Sequence, residues 1–123
     1  MRIVILISLF ISFLLAGCWQ KDLGRSYYPS GKIMTDATVR NALLDGPSTM
    51  FYESGVKMSE ATYRAGILDG KSFLYYPSGK IKSTAVYKDG YLNGLSVEWS
   101  DSGSIISEVN FQQGKVVVSI KND

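Results

Sequence analysis

The chain has 123 residues, with 13 basic and 11 acidic side chains, no histidine and one cysteine. This near-balance, with no cluster of Lys or Arg, argues against a nucleic-acid partner. The missing histidine and lone cysteine exclude His-based acid–base work, Ser-His-Asp and Cys-His nucleophiles, and zinc sites built on His or Cys.

The chain opens with MRIVILISLFISFLLAGC. One positive charge at Arg2, an apolar run from Ile3 to Ala16 and small residues at Ala16 and Gly17 predict a secretory signal peptide over residues 1–17. The run is shorter than the roughly 20 residues that cross a bilayer as a helix. Leu15 to Cys18 also resembles the lipobox of bacterial lipoproteins. That resemblance implies cleavage before Cys18, lipidation of its thiol and acylation of the new N-terminus. A lone cysteine in an exported chain needs such a reason, and several acyl chains anchor durably where one does not. Membrane lipid is thus the first expected partner, through Cys18, with residues 18–26 as lipidated N-terminus and tether. Trp19 follows the cysteine where an Asp is associated with inner-membrane retention. The expected location is the cell envelope, at the periplasmic face of the outer membrane in a diderm host. Removing residues 1–17 leaves 12 basic and 11 acidic side chains on 106 residues, enough for one small domain.

From Tyr27 the sequence repeats. YYPSGKI stands at Tyr27–Ile33 and again at Tyr75–Ile81. Aligned on Ser-Gly pairs, Gly31, Gly55, Gly79 and Gly103 each fall 24 residues after the last. The domain 27–123 divides into units 28–51, 52–75, 76–99 and a degenerate 100–123. The first two units agree at 11 of 24 positions and the second and third at 10, with no insertion. A constant period of this length marks a repeat architecture.

Within a unit, Ile81, Ser83, Ala85 and Tyr87 alternate with Lys82, Thr84, Val86 and Lys88, and Leu95 to Trp99 alternates likewise. Period two with β-branched and aromatic residues predicts strands. The Asp89-Gly90 and Asn93-Gly94 pairs between them supply positive φ for tight turns. Pro77-Ser78-Gly79 supplies the other connection. Gly31, Gly55, Gly79 and Gly103, then Gly46, Gly70 and Gly94, then Gly66, Gly90 and Gly114 are the structural turn residues. The expected fold is all-β: a single-layer antiparallel meander of stacked 24-residue hairpins. Columns of Ala37/Ala61/Ala85, Tyr63/Tyr87/Phe111 and Phe51/Tyr75/Trp99 predict a thin core in which rings lie over small residues.

Tyr52-Glu53-Ser54-Gly55, Tyr76-Pro77-Ser78-Gly79, Tyr63 with Gly66, Tyr87-Lys88-Asp89-Gly90, and the second glycines Gly46, Gly70 and Gly94 resemble the MORN-repeat variant of bacterial antitoxin-like MORN proteins. The resemblance runs from about residue 27 to 115 and decays at both ends. Ala42 replaces the first-column glycine and Val118 the second, as expected of terminal units with no outer neighbour. It implies a scaffold, with an antitoxin or immunity role as one form.

The carboxylates remain. Asp45, Asp69 and Asn93 each precede a turn glycine, which turn geometry explains; their spacing is wrong for a calcium loop. Asp36, Glu60 and Glu108 form a column broken by Thr84 and are expected to mark the solvated face. Tyr28, Tyr52 and Tyr76, each beside its turn, are the expected exposed contacts for a partner. The function expected is therefore non-enzymatic: a membrane-anchored repeat protein, with no cofactor and no metal site, that binds a protein or cell-wall component. A carboxylate-only enzyme on envelope glycans is the competing class.

Overall fold

The computed structural model describes residues 24–120, so the expected signal peptide, Cys18 and most of the expected tether lie outside the described residues. The described chain forms one antiparallel sheet of ten strands. These are β1 (Arg25–Tyr27), β2 (Ile33–Arg40), β3 (Leu43–Phe51), β4 (Lys57–Arg64) and β5 (Ile67–Tyr75). Then come β6 (Ile81–Lys88), β7 (Tyr91–Leu92), β8 (Gly94–Trp99), β9 (Ile105–Gln112) and β10 (Lys115–Ile120). Strands neighbour one another in chain order, with β7 pairing only the upper part of β6. The all-β meander expected from the period is what forms.

Two turn types alternate along it. At one end Gly31 N–H donates to Tyr28 O, and Tyr28 N–H to Lys32 O. This is a type I turn with Pro29 at its first corner, closed by a glycine bulge; Gly31 has φ +85°. The same pair of bonds recurs at Tyr52, Tyr76 and Ser100. At the other end the two central residues both take positive φ: Asn41-Ala42, Ala65-Gly66, Asp89-Gly90 and Gln113-Gly114. Those are tight hairpin turns whose twist matches the strands they join.

Asn93-Gly94 is not a turn, contrary to the sequence expectation. Gly46 and Gly70 lie inside β3 and β5, and Gly94 opens β8. Their φ of +122° to +128° belongs to a bulge. In β3, Ala37 pairs with Ser48 and Val39 with Leu44, so three residues, Asp45 to Pro47, face the single Thr38. A Cβ on Gly46 would stand 3.1 Å from Thr38 Cβ, and one on Gly70 3.3 Å from Thr62 Cβ. Glycine is required by that approach as well as by φ.

The thin core is corrected too. Residues opposite one another in register share a face. Ala37, Ser48, Ala61, Ser72 and Ala85 run in register across five strands. Beside them run Thr35, Met50, Ser59, Leu74, Ser83 and Glu98 on the same face. Phe51 and Tyr75 follow Met50 and Leu74 directly, so they point to the opposite face. The Phe51/Tyr75/Trp99 rings therefore cannot lie over the alanines, whereas Tyr63 and Tyr87 share the face of Ala61 and Ala85. Among the described residues only Val97 is buried, at 8% exposure. A single layer buries little, so its stability rests on cross-strand pairs of roughly 0.2–1 kcal/mol each and on bonds between units.

Candidate functional site

Two ladders tie each hairpin to the next, and they account for most residues the sequence singles out. At the type I end, Tyr28 Oη donates to Phe51 O at 2.7 Å, Tyr52 Oη to Tyr75 O at 2.9 Å and Tyr76 Oη to Trp99 O at 2.8 Å. Lys32 Nζ donates to Glu53 O at 2.9 Å and Lys80 Nζ to Asp101 O at 2.6 Å. All three tyrosines are half-buried, so the exposure expected for them is corrected: their phenol protons bind the carbonyl just before the next type I turn, not solvent. A phenol on an otherwise apolar ring must find an acceptor when it is covered, and the carbonyl 23 residues on provides one. The exposed tyrosines among the described residues are instead Tyr27, at 53%, and Tyr91, at 62%.

At the tight-turn end, Gly66, Gly90 and Gly114 donate N–H to Leu44, Leu68 and Leu92 O at 2.7–2.8 Å. Asp45, Asp69 and Asn93 accept the N–H of Ala65, Asp89 and Gln113. Each thus caps the turn of the following hairpin rather than its own. That bond to Asp89 N–H, with the Arg64 guanidinium nearby, lowers the Asp69 pKa. Arg64 bridges Asp69 and Asp89, at 2.8 Å to each.

The acidic column lies on the same face as the large rings. Asp36, Thr49, Glu60, Phe73, Thr84, Val97 and Glu108 are joined in register strand by strand. Tyr75 Oη donates to Glu60, and the Phe73 and Tyr75 rings stack with centroids 6.5 Å apart. Lys57 Nζ reaches Glu60 at 2.6 Å. Hydrogen bonds from Lys57 and then Tyr75 hold the Glu60 carboxyl below its ordinary value. Burial first, then Glu60, pushes the Tyr75 phenol up to about 12. Asp36 pairs with Arg25 at 3.2 Å. Beside this polar row stands a row of rings, Tyr27, Phe51, Tyr75 and Trp99, one on every second strand.

The same four-unit period is found by comparison. The family described as MORN repeat variant matches residues 23–41, 44–65, 68–89 and 92–113. The chain belongs to this family. The matched stretches of this MORN variant run from the C-terminal strand of one hairpin through its turn region into the next, so the family unit straddles the type I turn. The tyrosine and lysine ladder links each such unit to the next, and the Asx caps are internal to a unit. Among curated proteins, none matches the chain.

Reading the sequence alone finds the ladder columns but not the bonds that the tyrosine hydroxyls make to backbone carbonyls. It places Thr84 in the acidic column but misses Thr49, Phe73 and Val97 as its in-register neighbours. The available signal was the alternation on β5, which places Phe73 and Tyr75 on one side with their cross-strand neighbours.

Proposed function

We propose that this MORN-variant protein is a lipid-anchored, non-catalytic binding module of the cell envelope that engages a protein or wall polymer through one face of its sheet. The observation that supports it best is the openness of the fold: of the described residues one is buried, and both faces of the sheet stand uncovered. Such a surface offers long rows of side chains to an extended partner and no enclosed cleft in which water is excluded from a reacting bond.

The carboxylate row favours binding over hydrolysis. A glycosidase needs one carboxyl that keeps its proton beside one that does not. Glu60 is held ionised by Lys57 and Tyr75, and Asp36 faces Arg25. Glu60 therefore acts as an acceptor, and its environment does not favour the protonated acid.

Mass spectrometry of the protein from its own host tests the anchor. Diacylglyceryl and acyl groups on an N-terminal Cys18 are expected, and Cys18→Ala should release the chain from membranes or leave it unprocessed. An intact Met1 terminus or an unmodified Cys18 thiol after export refutes the anchoring. Crosslinking in intact cells tests the binding. Recovery of a discrete protein or wall fragment is expected, with an antitoxin or immunity role indicated if the partner is an effector. Cleavage of a wall polymer by the purified chain would refute the non-catalytic reading.

A further inference from the structure

Four rings stand in a line across the sheet. Tyr27 ends β1, Phe51 ends β3, Tyr75 ends β5 and Trp99 ends β8. Each is the last residue before a type I turn, and each is separated from the next by one intervening strand. Ser26, Met50, Leu74 and Glu98 occupy the other face, in register with Thr35, Ser59, Ser83 and Ser107. The four rings therefore share the face that carries Glu60. Inter-strand spacing sets their separation at about 9.6 Å, two strand widths, repeated three times.

None of the four is closed off. Tyr27 is 53% exposed and the other three are half-buried. One-residue bulges bring Ile33, Lys57, Ile81 and Ile105 opposite them. Alongside the rings runs the polar row of Asp36, Thr49, Glu60, Thr84 and Glu108. Asp36 and Glu60 each have a cationic partner, yet a carboxylate offers about four lone-pair sites and retains acceptors for further donors.

We propose that this face binds an extended, neutral β-1,4-linked glycan laid across the strands along the ring row. The proposal rests on the reading of the protein as an envelope binding module and names its ligand. A β-1,4-linked chain is flat, and successive sugars alternate in orientation, so every second sugar presents the same C–H face. Its disaccharide repeat is close to two strand widths, which places one such face over each ring. The hydroxyl edge of the chain then meets the carboxylates and threonine hydroxyls beside the rings. With Asp36 and Glu60 paired to Arg25 and Lys57, the row carries little net charge and suits a neutral chain of hydroxyls. The opposite face carries a shorter row of rings, Tyr63, Tyr87 and Phe111, but beside it stand Ala61, Ala85 and Val109 rather than carboxylates, and it is not part of the site.

Chitohexaose, a hexamer of β-1,4-linked N-acetylglucosamine, is the probe, with the full-length chain purified in detergent. In a Trp19→Phe background, Trp99 fluorescence should shift on titration. Affinity should rise steeply between the disaccharide and the tetrasaccharide, as a second ring is engaged. By calorimetry, Trp99→Ala and Phe51→Ala should each weaken binding about tenfold, while Leu74→Ala on the opposite face should leave it unchanged. Circular dichroism of each variant shows that the sheet is retained. Should Trp99→Ala lose its sheet, Glu60→Gln and Thr84→Val carry the test, each expected to weaken binding without removing a ring.

Three results overturn the proposal. One is no response to chitohexaose or to purified wall sacculi, with a protein still captured by crosslinking in cells; the envelope-binding reading then survives without its glycan. Another is equal loss in Leu74→Ala. A third is flotation of an unlipidated Cys18→Ser chain with anionic but not with neutral vesicles, in the absence of glycan binding. Failure of glycan, vesicle and crosslinking assays together would overturn the envelope-binding reading as well.

Discussion

The tight turns offer an experiment in which one substitution is made in both directions. Gly90 has φ +83°, and a Cβ there would meet Ile67 Cγ2 of the preceding hairpin at 3.2 Å. Ala42 holds the same position in the first unit, at φ +62°, with a Cβ already in place. An L-residue in the left-handed region costs about 1–2 kcal/mol. Replacing glycine by alanine returns roughly 0.5–1 kcal/mol by restricting the unfolded chain. Gly90→Ala should therefore destabilise by about 1 kcal/mol, plus a few tenths for moving Ile67. Ala42→Gly carries the same two terms with reversed signs and no side chain to displace, so it should stabilise by about 0.5–1 kcal/mol. Urea unfolding followed by tryptophan fluorescence reads the first. Ala42 lies in the first hairpin, and repeat arrays open unit by unit, so hydrogen exchange in β2 and β3 reads the second. An unchanged urea midpoint for Gly90→Ala, or faster exchange in Ala42→Gly, would refute the account of these turns.

Removing one phenol of the ladder, Tyr52→Phe, keeps the ring but leaves Tyr75 O without that donor. The expected loss is about 0.5–1.5 kcal/mol, measured by urea titration, with hydrogen exchange accelerated at the junction of the units joined there. Tyr52→Phe as stable as the parent would mean the hydroxyls are not what ties the units together. Acid and alkali should both weaken the Glu60–Tyr75 pair. Glu60 has a lowered pKa, so its contribution is present above the ordinary value of 4.5 and is lost as pH falls through the depressed one. Tyr75 has a raised pKa, so its contribution is present below 10.0 and is lost as pH rises towards about 12. Ultraviolet titration should find one phenol ionising near 12, absent in Tyr75→Phe; its persistence in that variant would reassign it.

Much of the fold is legible from spacing. The 24-residue period, the Pro-Ser-Gly corners and the period-two stretches between them leave an antiparallel meander as the arrangement that satisfies every unit at once. Strand and turn chemistry are local properties, and a repeat states them several times over. The decay at the ends is legible for the same reason. Among the described residues, only the short β1 precedes the hairpin that carries Ala42. Val117 and Val118 stand where Asp45, Asp69 and Asn93 and their glycines stand, and no described strand follows β10 for them to serve.

What the sequence could not assign was the side of the sheet each column occupies and the unit each polar group serves. One bulge residue more or less exchanges the faces of everything beyond it. The bulges at Gly46, Gly70 and Gly94 read in the sequence as a second set of turns. That ambiguity set the rings over the alanines, when register places Phe51, Tyr75 and Trp99 beside Asp36, Glu60 and Glu108 on the other face. The partners of Tyr28, Tyr52 and Tyr76 lie 23 residues away, and those of Asp45, Asp69 and Asn93 lie 20 away. Such distances carry no local signature in composition or pattern. Only the pairing of strands brings a phenol to a carbonyl, or a carboxylate to the next hairpin's turn, and only that pairing lines four separate rings into one row.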